Sequence, residues 1–105
     1  MTCEARPAER RVEIAGRPLR LRYSVNSLCE VEDRAGMPID RLMNRQFSAT
    51  RLLLWAGLCE AQPELTVSDV GELIGESLLR GGSLEAIVDL CAEGLRRAGF
   101  FGGED

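Results

Sequence analysis

The sequence predicts a mostly helical α+β domain: an N-terminal β-hairpin packed on a bundle of about five helices. Residues 11–23 alternate apolar and polar side chains on both sides of a glycine, which is the period of a half-buried hairpin. The remainder places apolar residues three and four apart behind cap residues such as Ser24, Ser48, Thr66 and Ser83. Apolar residues make up 45% of the chain but aromatics only 5%, so the core must be built from Leu, Val, Ile and Ala. That composition suits helices better than an extensive sheet.

A chain of 105 residues has room for one core. At that size folding buries roughly two-thirds of the unfolded surface, and no disulfide or metal is needed to hold it. The expected organisation is a flexible tail over 1–10, a single compact domain over 11–101 and a frayed end over 102–105. The net charge is −4, and all 13 basic residues are Arg, with no Lys and no His. A negative domain is repelled by phosphate backbones, so no nucleic-acid partner is expected. Without His the chain lacks the commonest general base and metal ligand, and no cofactor or catalytic residue is expected. Cys3, Cys29, Cys59 and Cys91 stand about thirty residues apart, unlike a zinc knuckle or redox dithiol. The last three fall on the apolar stripes of helices, where reduced Cys acts as a small hydrophobe. The charged N-terminus has no signal-peptide core, and the longest apolar run, Leu52–Cys59, is far short of a membrane span. These features predict a soluble cytoplasmic protein with no membrane partner.

Taken in order, Arg11–Ala15 and Pro18–Tyr23 form the hairpin arms. A type II′ turn at Gly16-Arg17 would set Ile14 opposite Leu19, Val12 opposite Leu21, Glu13 opposite Arg20 and Arg11 opposite Arg22. Ser24 caps a helix from Val25 to about Arg34 with Val25, Leu28, Cys29 and Val31 facing inward, and Ala35-Gly36 ends it. Pro38 opens a short helix from Ile39 to about Arg45. Ser48 caps the most apolar helix, Ala49 to Ala61, which must lie at the domain centre or against a partner. Thr66 through Asp69 reads as a capping box leading a helix to about Ile74. Ser83 caps Leu84 to Ala98, with Leu84, Ile87, Val88, Cys91, Leu95 and Ala98 as its stripe and Gly99 as its stop.

Several groups invite a functional reading. Arg17, Arg20, Arg22 and Arg11 could form an anion-binding edge, but Glu13 interrupts them and a solvated strand face accounts for them better. Glu30, Glu32 and Asp33 on one helix, and Glu72 and Glu76 on another, lack the accompanying groups of a calcium or acid–base site and read as solvated faces. Neither Gly81-Gly82 nor Gly102-Gly103 fits a phosphate loop. Trp55, Leu54 and Leu58 on the most apolar helix, with Phe100 and Phe101 after the last, are the candidate partner-binding residues. Trp55 reads first as core, and Phe100-Phe101 as either an exposed patch or packing on the hairpin.

The order of elements carries a resemblance. "VEIAGRPLRLRY" runs into "SVNSLCEVEDRAGMPIDRLM", followed by "FSATRLLLWAGLCEAQPELTVSDVGELIGE" and "LEAIVDLCAEGLRRAGFFG". Over residues 11–101 this resembles the small tail assembly chaperones of tailed phages and of gene transfer agents, which are sometimes labelled tail tube proteins. The resemblance implies a non-enzymatic protein that binds the tape-measure protein, and in some cases the tail-tube protein, while the tail assembles in the bacterial cytoplasm. It carries no catalytic residue to this chain, and self-association into a homo-oligomer is compatible with it. A chaperone for a long helical client needs an apolar surface with charge around it. The first rival is a structural tail-tube or head–tail connection protein, for which one hairpin offers little strand. A weaker one is a small DNA-binding regulator, for which no helix carries a run of basic or amide side chains.

Overall fold

A computed structural model describes residues 9–100; expectations for residues 1–8 of the tail, for Cys3 and for Phe101 onward lie outside the described residues, whereas Arg10, expected in the flexible tail, opens the first strand. Two antiparallel strands, β1 (Arg10–Ile14) and β2 (Arg17–Leu21), precede five helices: α1 (Val25–Ala35), α2 (Ile39–Leu42), α3 (Gln46–Leu58), α4 (Val67–Leu79) and α5 (Leu84–Arg97). The α+β, mostly helical class stands as expected from the sequence.

The hairpin register differs from the expected one. Val12 faces Leu19, Arg11 faces Arg20 and Ile14 faces Arg17, so the loop is Ala15-Gly16 rather than Gly16-Arg17. Both loop residues have positive φ, 54° and 76°, as a type I′ turn requires. Pro18 decides the matter. In the expected register Pro18 would flank the loop in a hydrogen-bonded pair, which needs the N–H that proline lacks. In the observed register Pro18 faces Glu13 in a pair that exchanges no backbone bond. The shift is by two residues, so the faces are unchanged: Val12, Ile14, Leu19 and Leu21 are all buried. The Glu13–Arg20 and Arg11–Arg22 pairs do not form. Ala15 in the left-handed region carries a cost that asparagine bears more easily, so Ala15→Asn is expected to raise stability by ~0.5–1 kcal/mol, read as a higher urea midpoint.

Helix α3 is the centre of the molecule and packs against α1, α2, α4, α5 and β2. Every residue from Leu52 to Leu58 is buried, so its all-round apolar sequence reflects neighbours on all sides. It starts at Gln46, not at Ala49, and ends at Leu58, not at Ala61; Arg45 precedes it with no side-chain cap, and Ser48 lies in its first turn. Helix α4 runs to Leu79, beyond the expected stop at Ile74, and α2 is shorter than expected, ending at Leu42. The caps at Ser24, Thr66 and Ser83 are observed, the first two as reciprocal boxes with Ser27 and Asp69.

In α1 the buried face is centred on Ser27 and Val31, with Val25 64% exposed and Cys29 exposed, against expectation. Ser27 can be buried because its hydroxyl accepts from Ser24 N–H at 2.9 Å and donates to the Ser24 carbonyl at 2.8 Å.

The hairpin is locked to the helices at its exit. Leu21 and Tyr23 are buried against Gly57 of α3 and Gly94 of α5, which have no side chains to obstruct them. The Tyr23 hydroxyl donates to the Leu53 carbonyl at 2.6 Å, and Arg22 N–H donates to the Gly57 carbonyl at 2.7 Å. Arg22 also pairs with Glu60, which accepts from the Ser24 hydroxyl at 2.9 Å.

Candidate functional site

The candidate partner-binding residues on α3 are not on the surface. Leu54 and Leu58 are 0% exposed and Trp55 8%, enclosed by the other helices, so none of them presents a face to a partner. The indole N–H of Trp55 donates to the Leu65 carbonyl at 3.3 Å, and the Arg34 guanidinium stands 4.4 Å from the ring centroid. This is a packed core tryptophan with a cation over its face. Phe100 packs partly buried against the core, and Phe101 lies outside the described residues.

The exposed apolar side chains lie elsewhere, Val25 of α1 among them. Phe47 is 67% exposed, Met43 48% and Leu79 90%. Phe47 belongs to the first turn of α3, whose start nothing local marks. With Ser48, Arg51, Gly71 and Ile74 it lines an open groove of about 260 Å³ between α3 and α4. The stem of the exposed Arg51 lies against Gly71, its Cδ 3.2 Å from where a Cβ on Gly71 would stand. One turn further along α4, Gly75 is exposed and has no neighbour within 4 Å of a built Cβ. Leu78, also exposed, stands four residues after Ile74 on the same helix. The groove therefore has an aromatic side at Phe47 and a helix side at Gly71 and Ile74, with the stem of Arg51 lying against Gly71. A second, smaller apolar pocket of about 70 Å³ lies between Met43, Thr50, Leu53, Val88 and Cys91.

The arginines of the hairpin do not form an anion-binding edge. Arg20 pairs with Glu9 at 3.5 Å and Arg22 with Glu60. Arg17 lines a trough of about 300 Å³ with Glu64, Asp69, Glu72 and Glu76, a predominantly acidic setting. Asp69 is held below the usual carboxylate range, first by the Thr66 backbone N–H and then by the Thr66 hydroxyl, with a smaller contribution from Arg17. The acidic groups of α1 also have structural partners. Glu30 pairs with Arg34 at 3.6 Å, and Glu32 accepts the backbone N–H of Ile39 at 2.9 Å, which ties α1 to the start of α2. Glu76 pairs with Arg80 at 2.9 Å.

Cys91 is buried and Cys59 half-buried, while Cys29 is exposed and open to thiol reagents. Among the described residues no cluster of His, Cys, Asp or Glu is arranged to hold a metal ion, and no helix is long and apolar enough to cross a membrane. Compared with protein-family models, curated proteins and solved structures, the chain matches none.

Proposed function

We propose that this chain is a non-enzymatic tail assembly chaperone, which holds a helical segment of the tape-measure protein in the groove between α3 and α4 during tail assembly. The observation that carries the reading is the exposed Phe47 in an open groove that Ser48, Arg51, Gly71 and Ile74 also line. An exposed aromatic anchor beside the aliphatic stem of an arginine supplies contact area for an amphipathic helix. The order of sequence elements supports the same reading, since it resembles that of small tail assembly chaperones.

The test is co-expression with the helix-rich tape-measure protein of the same element, followed by pull-down and light scattering. A soluble complex is expected. Phe47→Asp should weaken it by about thirtyfold, the size of a hot-spot loss, while changing stability by no more than ~0.5 kcal/mol because Phe47 is already exposed. Gly75→Ala separates stability from binding more sharply. A better helix former on an exposed position should stabilise the chain by ~0.5–1 kcal/mol, while a client helix that passes close over Gly75, one turn beyond the groove, should bind more weakly. A complex indifferent to both substitutions would remove the groove from the proposal. Rings or tubes formed by the chain alone, with no client complex, would favour the structural tail-tube reading.

A further inference from the structure

The two edges of the hairpin differ. On the outer edge of β2 the Gln62 side chain acts as a neighbouring strand, accepting from Arg20 N–H at 2.8 Å and donating to the Arg20 carbonyl at 3.0 Å. Pro18 has no N–H to offer on that edge, and Arg22 N–H is taken by Gly57. β2 is closed.

β1 is open. Its register places Ile14, Val12 and Arg10 in the pairs that exchange backbone bonds with β2, counting outward from a two-residue turn. The N–H and C=O groups of Arg11 and Glu13 therefore point away from the hairpin, and among the described residues no hydrogen bond reaches them. Both side chains are exposed. Unmet donors and acceptors along an edge are a template for another strand.

Charge selects the strand that fits. If two copies of β1 run antiparallel, their outward-pointing residues must stand opposite one another. Near the strand centre that allows Arg11 opposite Arg11, Glu13 opposite Glu13, or Arg11 opposite Glu13. The first two oppose like charges, which is destabilising; the third pairs opposite charges twice, once on each side of Val12. The edge is thus self-complementary in one register. We infer that two copies of this chain associate through β1 about a two-fold axis at Val12, each Arg11 opposite the other copy's Glu13, with backbone hydrogen bonds exchanged at both pairs. The product is a four-stranded sheet in which Val12 and Ile14 of both copies continue one apolar face. Since β2 is closed, edge pairing ends at the dimer and cannot propagate into a filament. The pairing needs no client and stands apart from the proposed function.

The experiment is sedimentation equilibrium of the full chain from micromolar to millimolar concentration, with amide exchange read at Arg11 and Glu13. A dimer is expected, with those two amides protected as it forms. Glu13→Arg and Arg11→Glu, each replacing attraction by repulsion at both symmetric pairs, should weaken the dimer by about tenfold or more with unchanged far-ultraviolet circular dichroism. Mixing the two variants restores opposite charges at every pair and should return a heterodimer of wild-type strength. A monomer at all concentrations, a dimer indifferent to both substitutions, or a mixture no tighter than the single variants would each overturn the inference. So would protection of the two amides only when a client is added, which would assign the edge to a client strand.

Discussion

Gly57→Ala is expected to lower stability by about 2 kcal/mol, although alanine is the better helix former by ~1 kcal/mol. A Cβ at this position would stand 2.5 Å from Leu21 Cδ1, 2.8 Å from Tyr23 Cζ and 3.0 Å from its hydroxyl oxygen. Neither neighbour has room to move. Leu21 is 0% exposed, and Tyr23 is held by its bond to the Leu53 carbonyl on one side and by Gly94 on the other. A Cβ on Gly94 would in turn lie 2.9 Å from Leu21 Cδ2 and 3.0 Å from Tyr23 Cε2. Overpacking at a site closed on two sides costs ~3 kcal/mol, the upper part of the usual range, which leaves the stated net loss. For a domain of this size that is a fall in melting temperature of about 8–16 °C. The mechanism can be separated from a general intolerance of α3 by adding Leu21→Ala. Alone it should cost ~3 kcal/mol through the cavity it leaves, but it also makes room for the new methyl. The double variant should then be more stable than the sum of the singles by about 1 kcal/mol. If Gly57→Ala proved as stable as the parent, docking of the hairpin into the helix pair would have to be looser than the structure describes.

That docking was legible only in part. The hairpin, its apolar face and four of the helix starts could be read because each depends on residues close together in sequence. Thr66 and Asp69 make their reciprocal bonds three residues apart, and Ser83 caps Ala86 N–H at the same spacing. α3 is the opposite case. No side chain caps its start, so the boundary is set by which residues the neighbouring helices cover, and Ser48 imitates a cap while sitting in the first turn. Phe47 was lost with that boundary. Placed before the helix it looks like a loop residue; placed within it, it becomes one wall of a groove.

Burial followed the same division. The phase of α1 depends on the reciprocal bonds of Ser24 and Ser27, which let a serine take an inward position that hydrophobicity alone would give to Val25 or Cys29. Trp55, Leu54 and Leu58 show why an all-round apolar helix does not identify a binding site. The pattern is the same whether the covering surface belongs to another molecule or to the same chain, and here α1, α2, α4, α5 and β2 supply it. The turn register was within reach of local chemistry, because the missing N–H of Pro18 excludes the alternative. The groove was not, since Phe47 and Gly71 are brought together only by the packing of α3 on α4.

Raising the pH above 9 is expected to destabilise the fold by about 2–3 kcal/mol by pH 11, even before the arginines are affected. Burial pushes the Cys91 thiol from 9.0 up to about 11, opposed in part by the neighbouring Tyr23 hydroxyl. The Tyr23 phenol lies well above its usual 10, first through burial and then through the charge that Cys91 would carry. Cys59 is raised as well, by partial burial and by Glu60. For each group the folded chain holds its proton more tightly than the unfolded chain. The resulting stabilisation is complete below the unfolded value and is lost as pH rises toward the folded one. For Cys91 that window runs from pH 9 to about pH 11, and losing the tighter hold on the proton across it costs about 2–3 kcal/mol. Tyr23 continues the loss above pH 10. Urea midpoints under reducing conditions should be constant from pH 6 to 8 and then fall steadily. Cys91→Ala should cost ~1 kcal/mol at neutral pH through the small cavity, yet delay most of the alkaline fall to about pH 10, where Tyr23 takes over. Tyr23→Phe should cost ~1 kcal/mol at neutral pH through the lost bond to Leu53 while leaving the Cys91 part of the fall in place. If the alkaline fall were identical in the parent and in Cys91→Ala, the thiol could not be the proton holder, and Cys91 would have to be accessible to water in the folded chain.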